Sequence, residues 1–110
     1  MIRLPMPPSV NNLYPTGKNG RRFPSKEYKS WRTEAGYSLL AQRPEKFKGD
    51  VCLFLRFGPR IKNADVTNRI KAVEDLLVEL RVIEDDRFVV DCQARWADGV
   101  NGCEVEVSRA

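Results

Sequence analysis

The chain has 110 residues, a net charge of +4 and no histidine, so we expect a single domain over residues 1–110 and no metal site that uses imidazole. Its uncharged apolar stretches are far too short to span a membrane, and its proline-rich opening does not resemble a secretory signal. We therefore expect a cytoplasmic protein with no membrane partner.

The N-terminal third begins with a short predicted strand over residues 2–4. Prolines follow, and because proline fixes φ and lacks an amide donor, they exclude a long regular element there. Residues 15–24, PTGKNGRRFP, combine turn residues with charge and no periodicity, which predicts a basic loop that contains Lys18, Arg21 and Arg22.

The middle of the chain predicts one helix and one buried strand. Ser25 is a suitable N-cap for a helix that runs to about Gln42, with Tyr28, Trp31, Ala35 and Leu39 on one face. The helix ends at Arg43-Pro44. Residues 50–57, DVCLFLRF, are rich in β-branched, aromatic and aliphatic side chains and predict a buried strand.

The C-terminal half predicts a second helix from Val66 to about Leu80, with Ile70, Val73, Leu77 and Leu80 as its apolar stripe. Two strands follow, over residues 88–97 and 103–108, and the DGVNG between them is typical of a β-hairpin. The order β-α-β-α-β-β predicts an α/β (α+β) domain in which two helices pack on a four-stranded mixed sheet.

Charge is divided unevenly along the chain. Residues 1–48 carry ten Lys or Arg against three Glu, a net charge of +7, whereas residues 49–110 carry nine against twelve acids, a net charge of −3. A basic half beside acidic groups suits a protein that holds a polyanion and a divalent cation, although an ordinary solvated surface would show the same imbalance.

Acids bracket the second predicted helix. Asp65 precedes it, and Glu84, Asp85 and Asp86 follow it. Helix capping would explain Asp65, but three consecutive acids repel one another unless a cation neutralises them. If the helix packs across the sheet, Asp65 and Asp86 could together hold Mg²⁺, which prefers oxygen ligands.

Lys71 is the candidate cation for chemistry on this helix. At about 100° per residue, Asn68, Lys71 and Asp75 fall on the side opposite Ile70 and Leu77. There Lys71 could stabilise the charge that develops on a phosphate during hydrolysis. A solvated helix lysine is the ordinary alternative.

These motifs resemble the signature of the RusA-type Holliday-junction resolvases. That family's helix start, D-x-D-N-x-x-K-x, is matched by residues 65–72, DVTNRIKA, and its D-D pair by Asp85-Asp86. Residues 5–14, PMPPSVNNLY, are similar to the family's proline-rich opening. One position departs from the pattern, because Thr67 stands where the family often has a second aspartate.

The resemblance implies a Mg²⁺-dependent (or Mn²⁺-dependent) endonuclease that cuts four-way DNA junctions by paired nicking as a homodimer. Asp65, Lys71 and Asp86 match family catalytic positions; Asp65 and Asp86 would be the metal ligands, with Asp85 a weaker candidate. Six basic residues are predicted to contact DNA: Lys18, Arg21, Arg22, Arg60, Lys62 and Arg69. The alternative is a catalytically weakened junction-binding protein of the same fold, in which Thr67 impairs the site.

Overall fold

The computed structural model describes residues 1–9 and 24–110. The strands are Ile2–Leu4 (β1), Val51–Gly58 (β2), Val89–Trp96 (β3) and Gly102–Arg109 (β4), and the α-helices are Lys26–Ala41 (α1) and Ile70–Glu79 (α2). Short 3-10 turns, Val66–Arg69 and Asp86–Phe88, precede α2 and β3. The predicted α+β class and element order are confirmed. Within the described ranges, no helix is long and apolar enough to cross a membrane.

The first helix forms as its sequence predicts. The Ser25 hydroxyl accepts a hydrogen bond from the Tyr28 backbone N–H at 3.0 Å, which satisfies one of the amides left unpaired at a helix start. Tyr28, Trp31, Ala35 and Leu39 are all buried. The Trp31 indole donates to the Pro5 carbonyl at 2.9 Å and so fixes α1 to the N-terminal segment.

The second helix is shorter than predicted. Residues 66–69 form the tighter 3-10 turn, and the α-helix spans Ile70–Glu79. Its buried side chains are Ala72, Val73, Leu76 and Leu77. The predicted stripe is thus right at Val73 and Leu77, whereas Ile70 and Leu80 are only partly buried against the core.

The sheet is mixed and four-stranded, as predicted, with the order β1-β4-β2-β3. Strand β2 pairs in parallel with β3 and antiparallel with β4. A parallel pair needs a crossover connection, and α2 lies in that connection. Alternate residues of β2 from Val51 to Phe57 are fully buried in the core that the two helices share, while Cys52, Phe54 and Arg56 between them are only partly covered.

The predicted hairpin between the last two strands is wrong, because β2 lies between β3 and β4. Strand β2 has the most buried side chains and takes an interior place beside β4, which leaves the largely exposed β3 at the edge. The connection from β3 to β4 crosses the end of β2: the Ala97 N–H donates to the Phe57 carbonyl at 2.8 Å. Gly58 permits this crossing, since a Cβ there would collide with the carbonyl oxygens of Ala97 and Val100.

Candidate functional site

Asp65 occupies the N-cap position of the first 3-10 turn, but its side chain makes no capping hydrogen bond. Capping therefore does not account for this carboxylate. It is exposed and lines a small depression together with Ser9, Asn63, Asn68 and Arg69. The carboxylate of Asp65 faces polar groups at the start of the helical segment and remains accessible to a ligand.

Lys71 lies in the first turn of α2 and is paired with an acid one turn later. Its ammonium donates to Asp75 Oδ1 at 2.9 Å. The pKa of Lys71 is raised above its ordinary value by this hydrogen bond and also by the charges of Asp75, Asp86 and Glu74. Asp86, which is fifteen residues further along the chain, therefore lies near the amino end of α2.

The three consecutive acids do three different things. Glu84 accepts a hydrogen bond from the Gly49 N–H at 2.6 Å and holds the segment that leads into β2. Asp85 accepts from the Arg87 N–H at 3.1 Å and caps the second 3-10 turn, which lowers its pKa. Asp86 has a raised pKa, first because it shares a hydrogen bond with Asp85, then because of desolvation and the like charges of Asp85 and Asp75.

Glu74 belongs to the same cluster and was not predicted from the sequence. Its pKa is raised by partial burial first and by the charge of Asp86 second, while Lys71 opposes the shift. It follows Lys71 by three residues, and this spacing places the two side chains on neighbouring positions of one helix face. This three-residue spacing is the sequence feature from which Glu74 could have been predicted.

The structure thus gathers Lys71, Glu74, Asp75 and Asp86 into what we call the acid–lysine cluster. Asp65 contributes to none of the pKa shifts in this cluster. It precedes Lys71 by six residues, or roughly 11 Å of 3-10 and α-helical rise. Within residues 1–9 and 24–110, no three His, Cys, Asp or Glu side chains form a group that could hold a metal ion.

The basic residues predicted to contact DNA have different surroundings. Arg60 and Lys62 are exposed in the loop that leads to Asp65. Arg69 donates through Nη1 to the Pro7 carbonyl at 2.8 Å, and its buried Nε has no hydrogen-bond partner in the described part of the chain. The remaining three, Lys18, Arg21 and Arg22, lie outside the described residues.

Fold and cluster together define a small α+β domain with a candidate hydrolase site, since carboxylates beside a lysine suit reactions in which a phosphate gains negative charge. The family model described as endodeoxyribonuclease RusA matches residues 5–108, and the chain belongs to this family. The match spans α1, α2 and all of the sheet except β1 and the last residue of β4. No match to the chain was found among curated proteins.

Proposed function

We propose that the protein is a Mg²⁺-dependent endonuclease that resolves four-way DNA junctions, acting as a homodimer that nicks two strands of like polarity. The observation that carries the proposal is the position of Lys71 beside Asp86 within a chain of the RusA family. These two residues come from different elements, α2 and the 3-10 turn before β3, so tertiary packing brings them together.

The chemistry of the candidate ligands, which are carboxylate oxygens, suits a hard divalent cation. Asp86 has a raised pKa, first because it shares a hydrogen bond with Asp85 and in smaller part because of the like charges of Asp85 and Asp75, and a cation would relieve that repulsion. Asp65 has a carboxylate that no capping bond occupies. Because Mg²⁺ commonly takes one or two protein carboxylates and keeps water and phosphate oxygens as its other ligands, Asp65 and Asp86 would hold it, with Asp85 in a lesser role. RusA-family resolvases generally depend on divalent metals.

The reaction is hydrolysis of one phosphodiester. When bound, the cation supplies positive charge and a more acidic water beside the phosphate. Lys71 places its ammonium where the non-bridging oxygens gain charge in the transition state, and Asp75 holds that ammonium in position. Water forms the new bond to phosphorus, the bond to the 3′ oxygen breaks, and a proton passes to that oxygen, which leaves a 5′-phosphate and a 3′-hydroxyl.

A second candidate is a junction-binding protein of the same fold with weakened catalysis. Thr67 favours it, because this exposed residue stands at the helix start where the family pattern often has an aspartate. A hydroxyl brings no negative charge to a hard cation. In this case the protein would bind junctions but cut them slowly at any metal concentration.

Size and symmetry support the proposed dimer. A 110-residue domain buries a thin core, and one two-fold axis lets two equal sites face the two strands of a junction. Light scattering should give twice the chain mass of 12.6 kDa. A monomer at micromolar concentration would contradict paired nicking.

The deciding experiment incubates the purified protein with a synthetic four-way junction and, in parallel, with a linear duplex of the same sequence. Mg²⁺ or EDTA is added to each, and the strands are separated on a denaturing gel. We expect symmetric nicks in the junction with Mg²⁺ and none with EDTA. Binding without nicking would favour the second candidate, and equal nicking of linear duplex would contradict junction selectivity.

A further inference from the structure

Three basic side chains surround one cavity at the carboxyl end of α2. Lys46, Lys48 and Arg81 line it, and its apolar floor is formed by Phe47, Val78 and Ile83. All three basic residues are exposed, and none forms an ion pair within the described ranges. We call this feature the basic pocket.

The backbone holds the two lysines outward. Phe47 between them is buried, its N–H donates to the Val82 carbonyl at 2.8 Å, and the Arg109 guanidinium lies 5.2 Å from its ring centroid. With Phe47 anchored inward, its chain neighbours Lys46 and Lys48 are exposed to solvent. The one acid that lines the pocket, Glu84, accepts a hydrogen bond from the Gly49 N–H and forms no ion pair with either lysine.

Arg81 occupies a position where the backbone favours glycine. It follows the C-cap of α2 with φ of 61°, and its N–H donates to the Val78 carbonyl while the Val82 N–H donates to the Leu77 carbonyl. This is a Schellman arrangement, in which the left-handed residue is usually glycine. A cation near a helix C-terminus is favourable and would explain Arg81 alone, but it does not explain the two lysines beside it.

We propose that the basic pocket binds the phosphate backbone of a DNA duplex arm that leaves the acid–lysine cluster. This inference rests on the proposed function for its choice of DNA. Arg81 follows Lys71 by ten residues, or about 15 Å at the rise of an α-helix. A DNA duplex rises about 3.4 Å per base pair. If a duplex arm runs along α2 from the acid–lysine cluster, its backbone therefore reaches the basic pocket about four base pairs from the phosphate at the cluster.

A short stretch of chain also connects the basic pocket to the acid–lysine cluster. Glu84 on its rim precedes Asp86 by two residues, so their Cα atoms are no more than about 7 Å apart. Three unpaired cations next to an acidic site would let the protein hold a polyanion whose reacting phosphate lies among carboxylates. Such contacts fix position and read no sequence.

The test compares two triple variants with matched charge. The pocket variant carries Lys46→Gln, Lys48→Gln and Arg81→Gln. The control carries Lys26→Gln, Lys29→Gln and Arg43→Gln, which also removes two exposed lysines and one exposed arginine with positive φ, here 49°. Thermal unfolding first shows that both variants fold.

Affinity for a four-way junction and for a linear duplex is then measured against salt concentration in EDTA. The pocket variant should bind both DNAs roughly ten- to a hundredfold more weakly, and its salt slope should fall by about 2 to 3, near 0.9 for each lost phosphate contact. The control should stay close to wild type. Because EDTA prevents metal-dependent cutting, this result does not depend on whether the protein is an active nuclease.

An unchanged affinity and salt slope for the pocket variant would overturn the inference even if the wild-type protein cuts junctions. An equal loss in the control would overturn it as well, because only total charge would then matter. A loss confined to the junction would mean that the pocket contacts the branch rather than an arm, which also contradicts the proposal. Failure of the nicking assay with a positive binding result would instead count against the proposed function alone.

Discussion

Replacement of Lys71 by methionine tests whether this residue acts in catalysis or is an ordinary surface lysine. The change removes the ammonium and keeps most of the side-chain length. Its structural cost is one ion pair to Asp75 on a helix, with side chains 47% and 28% exposed. Such i,i+4 pairs contribute about 0.3 to 0.5 kcal/mol, which corresponds to a fall in Tm of roughly 1 to 4 °C for a domain of this size.

The expected catalytic cost is much larger. Removing one group that stabilises charge in a transition state typically lowers the rate about 10² to 10³-fold, or about 2.7 to 4 kcal/mol. That exceeds the stability term several-fold, so the Lys71→Met protein should be folded but nearly inactive. Its salt slope for junction binding should fall by about 1, since at most one phosphate contact is lost.

The assay measures the single-turnover nicking rate on a four-way junction in Mg²⁺, together with the thermal unfolding of each protein. Lys29→Met is the matched control, because Lys29 is an exposed lysine of α1 with no ion pair in the described part of the chain. It should cut like wild type. A Lys71→Met rate within tenfold of wild type would refute the role of this lysine, and a comparable loss in the control would show that the assay responds to overall charge.

Three further predictions test the metal site, the electrostatics and the topology. Thr67→Asp should lower the Mg²⁺ concentration needed for half-maximal nicking, because an added carboxylate attracts a hard cation; an unchanged titration curve would mean that another acid already serves. Glu74→Gln should raise stability at neutral pH. The fold raises the pKa of this carboxyl above its unfolded value, so the stability that it contributes is fully present below the unfolded pKa and is lost as pH rises through the folded pKa. The variant should therefore be more stable than wild type in chemical denaturation at neutral pH, and this difference should vanish in acid. A difference that stays constant with pH would contradict the raised pKa of Glu74. Gly58→Ala should destabilise by about 1 to 3 kcal/mol, since its Cβ would meet two carbonyl oxygens, whereas Gly36→Ala, whose Cβ would meet only Leu80 Cδ1 at 3.9 Å, should be neutral or stabilising; similar melting curves for both would count against the crossing at β2.

Local signals in the sequence predicted the local structure. The Ser25 cap and the spacing of Tyr28 and Trp31 identified α1 and its buried face, because these features depend on residues within two turns of one another. The class and the order of elements followed from the same kind of pattern. The position of Lys71 on an accessible helix face was also predictable from helical periodicity.

Strand pairing was not predictable in the same way. The turn residues between β3 and β4 favour a hairpin locally, yet the burial of β2 places it between them. Burial of one strand is a property of the whole sheet, and no short segment encodes it. Gly58 reflects this topology, because its lack of a Cβ makes room for the crossing. The reason for a glycine there becomes apparent only once the neighbours of β2 are known.

The acidic run was evident in the sequence, but the different interactions of its three residues were not. Glu84, Asp85 and Asp86 are indistinguishable as a run of acids in the sequence. In the structure Glu84 accepts from the distant Gly49 N–H, Asp85 accepts from the nearby Arg87 N–H, and Asp86 lies near α2. Glu74 was overlooked because its role depends on how closely Asp86 approaches α2, and that approach is a matter of tertiary packing.

The assignment of a nuclease site to the acid–lysine cluster is tested by the cleavage of a four-way junction by Asp86→Asn, with Asp91→Asn as the control. Both substitutions remove one exposed aspartate charge, but only Asp86 lies in the acid–lysine cluster. If this cluster is the metal-dependent nuclease site, Asp86→Asn should abolish nicking in Mg²⁺ while junction binding stays as tight as in wild type or becomes tighter, and Asp91→Asn should cut normally. Normal cutting by Asp86→Asn would show that the acid–lysine cluster is not the nuclease site.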